Sequence, residues 1–244
     1  MKSGKSLAFA AFMALAGISA GILSGCASVS SAIVPGERFV PMDDPGSVYA
    51  VGQIIEMDSS RVDMVYDPKV PSDLLSVEQG DLPALSRKTL MARYSSIAKD
   101  AMEDAGAKLG DVKVAVSYLD PYARAIPTYS LYRHIQDQMT KNAELRSMIL
   151  NYAAVGARFE VISLSVHGRL VLTVTDAMGK SLELEPAVLA AAARGLNVRF
   201  TRDGASSAYV SENALLGFYA DRRMVRALTS AAGSESQPAA KAAK

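Results

Sequence analysis

Residues 157–185 read ARFEVISLSVHGRLVLTVTDAMGKSLELE. Apolar side chains recur here at every second position, with polar or small residues between them. That period of two is the mark of strands. His167-Gly168, standing between Val166 and Arg169, has the make-up of a two-residue hairpin turn. Asp176-Ala177-Met178-Gly179 has the make-up of a second turn. The stretch therefore predicts an antiparallel meander.

On its C-terminal side, Pro186 suits the first position of a short Ala-rich helix, and Gly195 suits its end. Leu196, Val198 and Phe200 alternate. Asp203-Gly204 turns the chain toward a strand near residues 208–210. Ser211 is expected to cap a final helix carrying Leu215, Leu216, Phe218, Tyr219, Val225 and Leu228. On the N-terminal side, residues 48–57 predict a strand, and Val62, Met64 and Tyr66 a second one after the turn at Asp58-Ser59-Ser60. Residues 67–83 carry three prolines and read as a loop. Leu90, Tyr94, Ala98, Met102 and their neighbours recur every three or four residues, which predicts a long helix closed by Gly106. Val112, Val114, Val116 and Tyr118 alternate as a strand. Leu131, Ile135, Met139, Leu145, Ile149 and Tyr152 mark a second long helix, irregular near Asn142. Helices and strands are interspersed, so the expected class is α+β, with a mixed or mainly antiparallel sheet, two long helices and a C-terminal helix.

The chain has 244 residues, with 26 Lys and Arg against 25 Asp and Glu. Half of it is hydrophobic, which suits a packed core and not a disordered chain. The balanced charge argues against nucleic acid as a partner, since that needs a basic face. One cysteine excludes an intrachain disulfide framework and any multi-thiolate metal site.

That cysteine closes an N-terminal pattern. Lys2 and Lys5 precede an uncharged run from Leu7 to Leu23, which ends in Leu23-Ser24-Gly25-Cys26. The run is short for a bilayer span of about 20 residues, and its flanks suit a secretory signal. The segment resembles the bacterial lipoprotein family, whose signal peptides end in a lipobox of this form. The resemblance implies removal of residues 1–25 and lipidation of Cys26. The lipid would be a diacylglycerol thioether plus an acyl chain on the new N-terminus, enough to hold the chain at a membrane. Ala27 after the cysteine implies, in a Gram-negative source, the outer membrane. A source with one membrane would place it on the cell membrane. Removing Lys2 and Lys5 leaves 24 basic side chains against 25 acidic, a net charge of −1. Residues 26–46, rich in small residues, proline and glycine, read as a lipidated tether. Residues 47–229 read as a single α+β domain, and 230–244 as a disordered tail.

Catalytic signatures are sparse. His134 and His167 lack metal-ligand spacing and read as structural or surface groups. There is no P-loop or G-x-G-x-x-G, and the G-x-S-x-G match Gly17-Ile18-Ser19-Ala20-Gly21 falls inside the uncharged N-terminal run. Glu183 and Glu185 would share one face of a strand and, with Asp58, Asp63 and Asp67, could be offered for acid–base work. The plainer expectation is a solvated sheet face. Arg222, Arg223 and Arg226 suit either anionic lipid headgroups or the end of a helix dipole. No cofactor or metal site is expected.

The most unusual segment is residues 118–132, where Tyr118, Tyr122, Tyr129 and Tyr132 fall together with Pro121 and Pro127. Tyrosine gives large contact area with a polar tip, which suits recognition. Tyr122, Ile126 and Tyr129 are the expected partner-binding residues. The strand–helix unit around Val112–Tyr118 is similar in outline to lipoproteins of the curli-secretion type. The expected function is a non-enzymatic, membrane-anchored scaffold or assembly component facing the periplasm, with an envelope protein as partner, in the manner of a secretion or surface-structure machine. The alternatives are a lipid- or peptidoglycan-binding lipoprotein, for which Met139 and Met148 would line a malleable pocket, and an envelope hydrolase.

Overall fold

The computed structural model describes residues 37–57, 61–154, 159–204 and 207–235. In chain order they form β1 (Glu37–Pro41), β2 (Ile54–Met57), β3 (Val62–Tyr66), β4 (Ser76–Gln79), α1 (Ala84–Asp104), β5 (Lys113–Ala125), α2 (Thr128–Lys141) and α3 (Ala143–Ala154). These are followed by β6 (Phe159–Thr175), α4 (Pro186–Gly195), β7 (Phe200–Arg202), β8 (Tyr209–Asp221) and α5 (Arg222–Glu235). The class is α+β, and the strands pair antiparallel in one eight-stranded sheet.

β6 is its axis. β8 pairs along one side of β6, while β2 and then β5 pair along the other. β3 lies beyond β2 and β4 beyond β5. β1 and β7 divide the outer side of β8 between its two halves.

Three expectations are corrected here. His167-Gly168 is not a turn: β6 runs straight through it, with His167 opposite Tyr122 of β5. The glycine answers to crowding, because a Cβ there would lie 3.1 Å from Leu216 Cδ1 and 3.3 Å from the Leu119 carbonyl. Ser211 does not cap a helix. It sits in β8, its Oγ accepting from Leu170 N at 2.8 Å, and the helix begins only at Arg222. Glu183 and Glu185 lie outside any strand. Beyond the 176–179 turn only Ser181 pairs back, with Thr175, and Glu185 is the residue before α4.

Three further boundaries move: within the expected tether 26–46 the stretch from Glu37 pairs as β1, Ser76–Gln79 within the expected loop 67–83 pairs with β5 as β4, and α5 runs to Glu235, into the expected tail 230–244. The helix ends and breaks fall where expected. Gly106 follows α1 with φ +87°, a left-handed position that suits glycine. The second long helix breaks at Asn142, whose side chain accepts from Leu145 N at 3.0 Å and so caps α3. Pro186 and Gly195 bound α4.

A bulge at Ser163 puts Val161 and Leu164 on the same face of β6. On that face α1 and α4 cover Val116, Leu164, Val166, Leu170, Leu172 and Leu216, and α2, α3 and α5 cover Ile54, Phe159 and Val161. The opposite face carries Ile55, Ile162, Leu215, Phe218 and Ala220. Residues 42–53 cover this part. Leu215 N donates to Pro45 O at 3.0 Å beside β8, and Gly52 N to Ile162 O at 2.7 Å beside β6. The chain crosses the sheet between those points and lays Tyr49 on Phe218, ring centroids 5.8 Å apart.

Candidate functional site

The crossing segment leaves the β4–β5 side of that face open. Cross-strand partners share a face. One row is therefore Val77, Arg124, Ser165 and Phe218, and the next is Gln79, Tyr122, His167 and Leu215. The rows grade from buried Phe218 and Leu215 to exposed Val77 and Gln79 at β4. β4 pairs with β5 alone among the described strands, so it is an edge of the sheet.

A second bulge, between Leu119 and Tyr122, sets the geometry. Asp120 takes a left-handed φ of +49°, and its carboxylate pairs with Arg169 of β6. The chain thus passes Pro121 without leaving the sheet, and Tyr122 re-enters register over His167. The two rings stack at 5.2 Å and 14°. The Arg124 guanidinium lies 5.9 Å from the Tyr122 ring centroid, a cation–π distance. His167 Nε2 is 2.9 Å from Ser165 Oγ. Burial, reinforced by the Arg124 charge, pulls the His167 pKa down to about 4, so the imidazole is neutral at pH 7. Ser165 is 1% exposed. Its hydroxyl and the His167 ring lie side by side on this strand face.

The expected partner residues do not form one surface. Tyr122 lies on the open face. Ile126 is 5% exposed and belongs to the core under α2, while Tyr129 projects from α2 at 73% exposure. Tyr118 points to the helix face, where its hydroxyl bonds Asp81. Burial first, and Asp81 second, raise its pKa. Tyr132 packs on the same cluster as Ile126.

The remaining candidates lie on other elements. His134 Nε2 lies 3.0 Å from Pro68 O. Asp63 pairs with Arg61, and Glu183 with Arg202 at 2.5 Å. Burial raises the Asp67 pKa, but bonds from Lys69 and Gln53 outweigh it and leave the group lowered. Arg222 and Arg223 pair with buried Glu160 and Asp221, and Arg226 is exposed. Met139 and Met148 pack in or against the α2–α3–α5 core. Asp58 and Cys26 lie outside the described residues. Among the described residues, no group of His, Asp and Glu is placed to hold a metal, and no helix is long and apolar enough to cross a membrane.

Arg124, Ser165 and His167 entered the site without a sequence signal pointing to them. Ser165 and His167 are two apart, which places them on one face of a strand. Reading a turn at His167 concealed that spacing.

No family model matches the chain, and no curated protein does. Among solved structures it is similar to a bacterial gasdermin from Bradyrhizobium tropiciagri. The TM-score is 0.36 and the identity 10%, over 76% of this chain and 79% of that one. So distant a likeness says nothing of what this chain does.

Proposed function

We propose that the chain is a non-enzymatic envelope lipoprotein, moored through Cys26 to the outer membrane or, in a source with one membrane, to the cell membrane. In this reading it faces the periplasm and holds an envelope protein on the open side of its sheet. It would serve as a scaffold or assembly component, in the manner of a secretion or surface-structure machine. The lipobox Leu23-Ser24-Gly25-Cys26 supports the mooring. The observation that carries the binding role is the corner formed by exposed Val77, Gln79 and Arg124 and half-buried Tyr122 beside edge strand β4. An aromatic ring, a guanidinium and an aliphatic side chain stand there together, next to backbone groups that an incoming strand can pair with.

A photo-crosslinker placed at Gln79 in intact cells tests the reading, with mass analysis of the mature N-terminus beside it. The expected result is one dominant cross-linked envelope protein, weaker for a probe at Tyr129, and a lipidated Cys26 at the N-terminus. A uniform background at both positions would remove the binding role. An intact leader or a free thiol would remove the mooring.

A further inference from the structure

A second cleft lies on the other side of the sheet's long axis, where residues 45–46 meet the end of α4 and the middle of β8. It is an open depression of about 580 Å³. Arg194 and Arg199 line it, with the amide side chains of Asn197 and Asn213 and the single acid Glu212.

Elsewhere in the fold many arginines are engaged. Arg87 is on Asp81, Arg93 on Asp43, Arg169 on Asp120, Arg202 on Glu183 and Arg222 on Glu160. Neither Arg194 nor Arg199 makes an ion pair or side-chain hydrogen bond among the described residues, and Glu212 forms no ion pair there. Two arginines with no ion pair among the described residues thus line one cleft, with Glu212 the acid beside them.

The walls are held in place. Asn197 sits at a left-handed φ of +51°, and its Nδ2 donates to Asp44 Oδ2 at 3.2 Å. Gly46 approaches so closely that a Cβ would overlap the Asn197 carbonyl. Pro45 O accepts from Leu215 N, which ties the rim to β8. A non-glycine residue held left-handed persists where its surroundings enforce it. Walls fixed before binding lower the ordering cost of a ligand. Planar guanidiniums match the paired oxygens of phosphate, and side-chain amides add donors.

We propose that this cleft binds a phosphate group, with Arg194 and Arg199 as its charge partners, Asn213 as a neutral donor, Asn197 held in the wall by Asp44, and Glu212 limiting its affinity. Phosphate is available free or as the headgroup of a phospholipid, and the same chemistry serves both.

The test titrates the full-length chain, in a nonionic detergent, with inorganic phosphate in one arm and a short-chain phosphatidylglycerol below its micelle concentration in the other. Backbone amide shifts of residues 194–199 and 212–213 are the readout. Saturable shifts confined to those residues are expected, and the ligand with the lower Kd names the source. Arg194→Gln with Arg199→Gln should weaken binding at least about tenfold, a change of about 1.4 kcal/mol. Glu212→Gln should tighten it by about threefold, since it removes a like charge of the kind that costs affinity. Arg226→Gln, an exposed arginine on α5, should leave the Kd unchanged. The double variant is read together with its circular dichroism spectrum. A folded double variant that binds as the parent does overturns the proposal. So does an absence of saturable shifts in the parent, or an equal loss in Arg226→Gln.

Discussion

Arg222 closes over Glu160: its Nε donates to Oε1 at 2.5 Å, and the carboxylate it covers is wholly buried at the start of β6. Arg38 stands 3.6 Å from the same oxygen, and Oε2 has no hydrogen-bond partner among the described residues. A buried charge stripped of its partner costs far more than the pair contributes. Arg222→Met should therefore destabilise the fold by about 3 kcal/mol, whereas Glu160→Met, which removes the buried charge itself, should cost less. Urea unfolding followed by circular dichroism at pH 7 ranks the two, and the reverse order would contradict the arrangement.

His167 makes stability depend on pH. Its pKa falls from 6.5 unfolded to about 4 folded, so between those values the unfolded chain binds the extra proton. Stability is full above about pH 6.5 and declines as pH drops toward 4, below which this contribution is lost. The ring is only partly buried, so solvent screening reduces the effect to about 1–2 kcal/mol. The urea midpoint should fall between pH 7.5 and 4.5 in the parent, and fall less in His167→Gln.

Alanine at the three expected partner residues should separate them. Ile126→Ala empties a core position and should cost about 2–4 kcal/mol. Tyr129→Ala, at an exposed site, should stay within about 0.5 kcal/mol. Tyr122→Ala should reduce cross-linking from Gln79 while lowering the melting temperature by only a few degrees. A Tyr122 variant that melts as low as the Ile126 one would place that ring in the structural framework.

Gly217 lies under the Phe39 ring, and a Cβ there would be 2.8 Å from the Val40 carbonyl. Gly217→Val should lift β1 from β8, at a cost of about 1–3 kcal/mol. Hydrogen exchange should then speed up in residues 38–41 and 217–220 and stay slow in β5. Uniform acceleration would show that β1 does not move separately.

The legible elements were those with one buried face. In α1, Leu90, Tyr94, Ala98 and Met102 are the buried positions, at the three-to-four spacing the sequence displays. Proline and glycine marked α4 because both act locally. β8 was misread because Leu215, Leu216, Phe218, Tyr219 and Ala220 are buried on both sides of the sheet. A strand covered on both faces loses its alternation and resembles a buried helix in sequence. The second cover is residues 42–53, far away in the chain. Gly168 and Asp120 misled for a related reason: a glycine demanded by a neighbouring strand, and a bulge held by Arg169, leave no local mark. The Tyr122–His167 stack depends on both, so the candidate surface emerged only once the register was known.

The strap of residues 46–51 is narrow, and Val48 and Ala50 on it face solvent. A protease nick there would unroof Phe218, Leu215 and Ile162 together, leaving a greasy slab on a sheet otherwise intact. Clipping at this one place would turn a well-behaved domain into one that sticks to copies of itself.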